Sequence, residues 1–553
     1  MRFPVRCTLC IVAALLPCAP AGDRAGAAVQ TGPNGEIRVD GRPFLPIMAH
    51  NQPVDLWPTL IELGVNTFAA NARPRPDSTV AAYLAAAEKH HVYVMLSPHW
   101  IEAEGREAID AVKRSSRVLT LRYPDEPDLT HKESDIRIDA PEAREDPARP
   151  LCMLFDGAPA TRGALSPVKG FAMTVGVPER YMSVVGDERR PPVVARLAVM
   201  QHNADGWLTL PKRVQFLADG KELLTAELSD RHAVMQTFRL PKPVAVSALT
   251  VKVLDVHQRR EAWGAWSELQ ALTADGTNVL QAEVRDVPRY AAATVAADCA
   301  RWRKAYGLPI LVGTTSRFAA IPTLETQRRP LPLTDYQTYH SAGDMAITNL
   351  FPLNWNGRPV TLDCHVLNQL SAIVGPRKPV AVWMAPGLPN PERAPSGARA
   401  PSPAELRANV VLNLIHGARM VPWFTQSWPK GTFKFVDVPA ENAAEMKRIA
   451  AAAGRLAAAL SCPEVEGPLW TLENVETDVA QPPRCQMVRK AADGSKYLFL
   501  VNATDRPVQA TLELANGESL VPLLPQDFLL GRKGGTVRAT FPPWYAQVYR
   551  IGR

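Results

Sequence analysis

In this 553-residue chain the fold is indicated most clearly by the stretch Val118-Leu-Thr-Leu-Arg-Tyr-Pro-Asp-Glu-Pro-Asp128. Its apolar beginning, Val118 to Leu121, predicts a short buried strand. Two carboxylates, Asp125 and Glu126, follow between prolines, and a proline restricts the residue before it to extended conformations. A stiff strand end that presents carboxylates is where a parallel-barrel enzyme keeps a general acid or base. An acidic surface turn is the alternative interpretation.

Strand and helix patterns alternate on both sides of this stretch. Before it, apolar runs lead into His50, Asn71 and His99, with helical segments between them. After residue 290 the alternation resumes, and it continues to an Ala-rich helix over 441–460. Units of this kind, with parallel strands joined by right-handed crossovers, predict an α/β fold, the (β/α)8 TIM barrel.

Two further regions carry a β pattern. Short alternating strands with turns such as Asp219-Gly220 predict a β-sandwich inserted after strand 4. A second group of strands near the end predicts a C-terminal β-sandwich. The predicted domains are the barrel over 36–133 and 285–460, the inserted sandwich over 134–284, and the C-terminal sandwich over 461–553.

Composition and the first residues limit the functional classes. The net charge of +7 is modest and the arginines are scattered, so we predict no nucleic-acid partner. Arg2 and Arg6 precede the apolar run Cys10–Leu16, which predicts a signal peptide over 1–28 and a secreted or periplasmic protein. That run is too short for a transmembrane segment. Cys18 offers a lipid-anchor alternative, although the proline before it suits such a site poorly.

The cysteines that follow the predicted signal peptide are odd in number, far apart and without metal-ligand spacing. Neither a metal site nor a disulfide framework is therefore indicated, and no cofactor is expected. The oligomeric state stays unknown. These cysteines are Cys152, Cys299, Cys364, Cys462 and Cys485.

The barrel pattern resembles the clan A glycoside hydrolases and their uncharacterised bacterial relatives. Those proteins carry Asn-Glu-Pro or Asp-Glu-Pro at the end of strand four, and Asp125-Glu126-Pro127 stands at that place here. The stretches Ser402-Pro-Ala-Glu-Leu-Arg407 and His416-Gly-Ala-Arg419 are also similar to these relatives. The resemblance implies that Glu126 is the acid/base that protonates the glycosidic oxygen, and that Asp125 tunes its pKa.

One position departs from the pattern of these relatives. They place the second catalytic carboxylate at the end of strand seven, where Lys378-Pro-Val-Ala-Val-Trp-Met-Ala385 ends in Ala385. A retaining mechanism needs two carboxyl groups about 5–5.5 Å apart, and an inverting one about 6.5–9.5 Å. Either a loop carboxylate such as Glu102, Glu104 or Glu392 substitutes, or the chemistry has been lost.

The insert resembles the discoidin, or coagulation-factor type C, module. The resemblance is carried by Leu154-Phe-Asp-Gly157, Val214-Gln-Phe-Leu-Ala-Asp-Gly220 and Ala265-Trp-Ser-Glu-Leu269. Such modules often bind carbohydrate and are in other cases structural, and both roles stay open here.

Polar and aromatic residues at the predicted strand ends suit a sugar. Amide and imidazole groups can hydrogen-bond hydroxyls, and tryptophan rings can stack on a pyranose. Any one of them alone is more often a core residue or satisfied locally. The predicted substrate-binding residues are His50, Asn51, Asn71, His99, Trp100, Asn349, Trp355, Trp383, Trp423, Gln426 and Trp428.

The sequence therefore predicts an exported glycoside hydrolase that cleaves O-glycosidic bonds of a poly- or oligosaccharide. The first alternative is a catalytically degenerate barrel that only binds carbohydrate and lacks the strand-seven nucleophile. The second is a structural surface protein in which the two sandwiches mediate contacts. A carboxylate opposite Glu126 would favour the hydrolase. An open rim without such a carboxylate would favour the binding protein, and a rim filled by loops would favour the structural protein.

Overall fold

The structure is a computed structural model of the chain. The described residues are 28–143, 151–157, 166–167, 169–203, 206, 208–259, 263–319, 331–391, 397–429, 432–467, 470–472, 484–525 and 533–552. Nearly all of the predicted signal peptide, residues 1–27, lies outside them. The chain divides into two compact units. The first is Met1–Asp125, Val295–Gln327 and Tyr336–Arg553, and the second is Glu126–Thr294 and Arg328–Asp335.

A ring of eight parallel strands is the centre of the first unit. The strands, numbered β1 to β8, are Ile47–His50, Thr67–Ala70, Tyr93–Leu96, Val118–Arg122, Ile310–Thr315, Met345–Asn349, Val380–Trp383 and Val421–Trp423. The sheet order is β7-β6-β5-β4-β3-β2-β1-β8, and parallel bridges from Val380 to Ala418 and from Met384 to Trp423 join its two ends. The predicted (β/α)8 barrel is therefore confirmed.

Helices alternate with these strands. The capping box before the helix Pro403–Ile415 shows how the sequence starts one: the Ser402 hydroxyl accepts from Glu405 N, and the Glu405 carboxylate accepts from Ser402 N. The helices, α1 to α11, are Trp57–Glu62, Val80–His90, Pro98–Glu104, Arg106–Arg114, Ala292–Tyr306, Leu333–Ala342, Pro352–Asn356, Leu362–Val374, Pro403–Ile415, Ala440–Ala451 and Ala453–Leu460. Short 3-10 helices are Val54–Leu56, Leu151–Phe155, Glu179–Tyr181 and Ser316–Ala319.

Apolar side chains fill the barrel, and an N-terminal β-hairpin packs against them. The hairpin pairs Ile37–Val39 with Arg42–Phe44 and, on the other side, with Val29–Thr31. Its turn, Asp40-Gly41, has φ of 49° and 77°, the positive values that a two-residue hairpin turn requires. Ile37 and Val39 belong to the same core cluster as the inward-facing residues of the strands.

The second unit contains a sandwich of two antiparallel sheets. Both sheets contribute to one apolar core that includes Val199, Phe216, Val251 and Leu269. This confirms the inserted β-sandwich after strand 4. One sheet contains Ser166–Pro167, Trp263–Leu272, Val193–His202 and Met235–Ala245, in that order. The other contains Lys221–Glu227, Leu210–Ala218, Ala248–His257, Ala172–Gly176 and Ile138–Asp139. Outside the sheets Thr130–Ser134 pairs with Val284–Pro288, and Ser183–Val185 with Glu188–Arg190.

The C-terminal strands of the first unit form the second β-sandwich. Its longest strand, Val508–Pro522, changes partners along its length. The first half pairs with Lys533–Phe541 and Thr471–Leu472, and after a register shift the second half pairs with Ala546–Gly552. The remaining strands, Lys496–Val501 and Gln486–Lys490, follow beyond Ala546–Gly552.

Candidate functional site

The ends of β1 and β4 bring three polar side chains together at the carboxyl-terminal rim of the barrel. Arg122 Nη2 donates to Asp125 Oδ1 at 2.8 Å, and His50 Nε2 lies 3.6 Å from Asp125 Oδ2. Arg122 is fully buried, and its Nη1 also donates to the carbonyl of Ala69 on β2. The side chain of Asp125 is 31% exposed, so the carboxylate can be reached from the rim. The three residues form the Asp125 cluster.

The electrostatics of this cluster keep Asp125 ionised. Burial acts to raise the pKa of its carboxyl, but the Arg122 charge, the hydrogen bond from Arg122 and the nearby His50 imidazole hold that pKa well below its ordinary value. Burial, opposed in part by the nearby Asp125 carboxylate, lowers the pKa of His50. At neutral pH the cluster is therefore a carboxylate beside a guanidinium and a neutral imidazole.

Aromatic rings surround the cluster. Trp383, at the end of β7, lies with its ring centroid 5.2 Å from that of His50 and 5.2 Å from Arg122 Cζ. The ring of Phe424 lies 5.3 Å from His50 on another side. Sugar-binding sites combine rings of this kind with a few fixed polar groups.

The ring contacts continue outward from the cluster. Phe424 and Trp428 are stacked at 5.8 Å, Trp428 and Phe433 are tilted at 5.4 Å, and Phe433 meets Phe435 edge-on at 4.6 Å. Phe433 is 40% exposed. Together these four rings, the aromatic strip, give the rim an apolar surface that leads away from Asp125.

Two glutamines join the ends of β1 and β8 beneath this surface. Gln426 Nε2 donates to the carbonyls of His50 and Asn51 at 3.1 and 3.3 Å. Gln52 Nε2 donates to the His50 carbonyl and to Thr425 Oγ1. Both side chains are buried, so Gln426, which we predicted to bind substrate, instead holds the backbone that carries His50.

Glu126 directly follows the cluster in the chain. Its φ is 49°, a left-handed conformation that is uncommon outside glycine and concentrates at functional sites. It is half-buried, and its carbonyl accepts from Leu129 N at 3.0 Å. The carboxylate that barrel side chains hold in place, however, is that of Asp125. For Asp125 the sequence had indicated only a role in tuning the pKa of Glu126.

Strand seven supplies no carboxylate at its end. Ala385 is 4% exposed and belongs to the cluster that fills the barrel interior. The proposed substitutes have other partners: Glu102 accepts from Arg301 and Trp302, and Glu104 accepts from Val80 N and Trp100. Both carboxylates are therefore engaged by groups on helices, and Glu392 lies outside the described residues.

One buried carboxyl group near strand seven was missed by the sequence reasoning. Asp363, in the first turn of α8, lines a small enclosed cavity together with Trp383 and Ala385. Burial raises its pKa to about 7, against the effect of a hydrogen bond from Asn409. It is fully buried, so it does not reach the open rim.

The other predicted residues fall into different surroundings. Asn51 and Asn71 are half-buried at the rim, and their side-chain oxygens have no hydrogen-bond partner among the described residues. Asn349 is half-buried beside Trp383 in the strand register. These amide groups can donate and accept hydrogen bonds at the rim.

Three aromatic residues do not join the rim. Trp100 is 5% exposed, packs on Tyr83 and donates to Glu104, so no ring face is open to a sugar. Trp423 is fully buried. His99 is exposed on α3, where its ring meets Tyr123 and Trp302. The side chain of Trp355 lies outside the described residues.

Sequence reasoning missed several rim residues. Arg122 carried a usable signal, because an arginine inside an apolar strand needs a buried partner. For Phe424 and Phe433 the sequence gives no signal of a place at the rim beyond their position after strand eight.

The described part of the chain contains neither a cluster of metal-ligating side chains nor a helix that could span a membrane. There, three or more His, Cys, Asp or Glu side chains nowhere gather as metal ligands would. The same residues contain no helix with the length and hydropathy of a membrane span. The five cysteines that follow the predicted signal are free thiols.

Comparison with known proteins finds no matching family model and no matching curated protein sequence. Among solved structures, the family 32 carbohydrate-binding module of C. perfringens NanJ, in complex with galactose, matches at 11% identity and a TM-score of 0.19, over 25% of this chain and 96% of that chain. A putative alpha-galactosidase/melibiase from Bacteroides fragilis matches at 10% identity and a TM-score of 0.27, over 47% of this chain and 52% of that chain. These likenesses are partial, and the assignment of a barrel with β-sandwich domains rests on the strand order above.

Proposed function

We propose that this chain binds a carbohydrate at the carboxyl-terminal rim of its barrel and hydrolyses a glycosidic bond there, with Glu126 as acid/base. The observation that carries the proposal is the Asp125 carboxylate, held ionised by Arg122 and His50 at the end of β4. Active sites of this barrel lie at the carboxyl ends of the strands.

Asp125 has two roles in this proposal. Its reachable oxygen accepts a hydrogen bond from a sugar hydroxyl, and the fixed geometry of Arg122 and His50 sets the direction of that bond. Its negative charge also disfavours ionisation of the next residue, Glu126, which can then donate a proton to the leaving oxygen.

The aromatic strip supplies the apolar contact of the sugar chain. A pyranose presents one face of C–H groups, which packs on a ring such as Trp428 or Phe433. Because the strip begins beside His50 at Phe424, a glycan bound on it would bring one of its linkages near Asp125.

A binding protein without hydrolysis is the second candidate, and Ala385 is the observation that favours it. A glycosidase needs a second carboxyl group, and the end of strand seven presents a buried methyl group. In this alternative the Asp125 cluster and the aromatic strip recognise the glycan, and the linkage stays intact.

The test compares the purified chain with Glu126→Gln, Asp125→Asn and, as a matched control, Glu107→Gln on the exposed surface of α4. Each is assayed for binding to, and reducing-sugar release from, a panel of aryl glycosides and polysaccharides. We expect release by the parent and control, a loss of 10²-fold or more in Glu126→Gln, and weaker binding in Asp125→Asn.

The outcomes separate the candidates. Binding without release by the parent would reject hydrolysis and leave the carbohydrate-binding barrel. Absence of binding to every polysaccharide would reject both. Export through the predicted signal peptide is part of the proposal, and secretion of the full chain by a bacterial host, with the N-terminus of the product sequenced, tests it.

A further inference from the structure

A second cleft, of ≈ 640 Å³, lies at the opposite end of the barrel from Asp125. Val380, the first residue of β7, and Arg419, just before β8, contribute to its wall. Arg489, from the strand Gln486–Lys490 of the C-terminal sandwich, contributes to another wall. We call it the amino-end cleft, and it shares no lining residue with the Asp125 cluster.

The amino-end cleft is strongly basic. Its described lining contains five cationic side chains and one carboxylate, so its formal charge is 5 − 1 = +4. His416 adds no charge at neutral pH, because burial lowers its pKa to about 4. The charged residues are Arg377, Lys378, Arg419, Arg484, Arg489 and Glu464.

Two of these cations are buried without a carboxylate among their hydrogen-bond acceptors. Arg419 is 6% exposed and donates to the carbonyls of Asn34 and Ala418. Arg489 is 4% exposed and donates to the carbonyls of Leu460 and Cys462. Carbonyl oxygens satisfy the N–H groups, and the carboxylates of Glu36 and Glu464 act on both charges from nearby without hydrogen-bonding either guanidinium. Burial and then the charge of Arg489 lower the pKa of Arg419, against the opposing charges of these two carboxylates.

The basic surface extends beyond this cleft. A neighbouring cleft of ≈ 570 Å³ shares Arg377 and Lys378 with it and is also lined by the ion pair of Arg303 and Asp344. Lys378 is held by the carbonyls of His340 and Gly343, and Arg377 is exposed. Two adjoining clefts with shared cations suit a chain of anionic groups better than one small ion.

We propose that the amino-end cleft binds an acidic polysaccharide through its sulfate or carboxylate groups. Guanidinium groups are the preferred partners of such planar or tetrahedral oxyanions. The described lining contains no tryptophan, tyrosine or phenylalanine. Single-stranded nucleic acids depend on stacking against such rings, so they fit the cleft less well. The proposal stands separately from hydrolysis at the other rim.

The test measures binding of dextran sulfate, polygalacturonate and neutral dextran to the full chain by titration calorimetry at low and high salt. The cleft variant Arg377→Gln/Arg484→Gln removes two cations whose side chains are substantially exposed, which spares the buried core. The control Arg189→Gln/Arg190→Gln removes the same charge from the exposed surface of the inserted unit. Thermal melts check that both variants fold.

We expect the parent and control to bind dextran sulfate or polygalacturonate with equal affinity, and the cleft variant to bind about tenfold more weakly. Affinity should fall as salt rises, and neutral dextran should not bind. Preference for one acidic polymer over the other assigns sulfate or carboxylate as the recognised group. Equal losses in both variants, or unchanged binding in the cleft variant, would overturn the proposal, since charge alone or another surface would then account for binding.

Discussion

His50 Nε2 lies 3.6 Å from Asp125 Oδ2, so the ends of β1 and β4 meet across the rim of the barrel. The same carboxylate receives Arg122 Nη2 on its other oxygen at 2.8 Å. The two strands are separated in the sheet by β2 and β3. The contact is therefore made through the barrel's open end, and it fixes the orientation of the Asp125 carboxylate, on which the proposed function rests.

Arg122 and Asp125 should be strongly coupled in stability. We expect Arg122→Met alone to lower the free energy of unfolding by about 3 kcal/mol, because it leaves Asp125 without its buried partner. In the double variant with Asp125→Asn the losses should fall short of their sum by more than about 1 kcal/mol. Urea unfolding of the four proteins gives the coupling, and additive losses would contradict the pairing.

The contribution of Asp125 to the stability of the fold should persist in moderate acid. Its folded pKa is depressed, so the stability it provides is present above the unfolded value of about 3.9 and is lost only as pH falls through the lower folded value. The coupling between Arg122 and Asp125 should therefore be the same at pH 7 and pH 5. A decrease already at pH 5 would show that the carboxyl is not held ionised.

The aromatic strip should contribute to affinity with little effect on stability. Phe433 is 40% exposed, so Phe433→Ala should change the free energy of unfolding by less than about 1 kcal/mol. It should weaken binding of the recognised glycan about tenfold through loss of ring stacking. Calorimetric titration measures this, with the exposed Val184→Ala of the inserted unit as control. Equal affinity of Phe433→Ala and the parent would remove the strip from the site.

A glutamate placed at the strand-seven position should destabilise the barrel. Ala385 is 4% exposed among apolar neighbours, so Ala385→Glu buries a carboxyl group without a designed partner. We expect a loss of about 3 kcal/mol or more, against about 1 kcal/mol for Ala385→Ser. Chemical unfolding measures both variants. Parent-like stability of Ala385→Glu would show that this position opens to the rim.

Acid should weaken the fold through a buried histidine in the barrel wall. Burial, and then the charge of Lys378, lowers the pKa of His340 to about 3, and its Nε2 contacts Thr314 Oγ1. The unfolded chain takes up the proton near pH 6.5 while the folded chain does not, so stability falls as pH drops from about 6.5 toward 3.

Between pH 6.5 and 5 this group should lower the free energy of unfolding by about 2 kcal/mol, since each pH unit counts about 1.4. His340→Asn should therefore show a flatter stability profile than the parent over that interval in urea titrations. Parallel profiles would mean that His340 titrates normally in the folded protein.

The barrel could be predicted because its signals are local. Apolar runs of strand length, the capping box at Ser402 and the helix over Arg106–Arg114 are readable from neighbouring residues. The surroundings of single aromatic side chains in the fold could not be predicted this way. Trp100 and Trp383 both follow or end a strand, yet one packs on Tyr83 and the other meets His50. The difference depends on which distant helix covers each ring.

Four features could be read from the chain alone: the strand–helix order, the β pattern of the insert, the Asp125-Glu126 pair at the end of strand four and the alanine at the end of strand seven. These follow from periodicity, turn residues and the identity of each residue along the chain. Two others required the folded structure: that Arg122 and His50 lie against the Asp125 carboxylate, and that five cations line one cleft at the amino ends of the strands. Closing the barrel brings residues hundreds of positions apart into contact, and their charges and burial then depend on those neighbours.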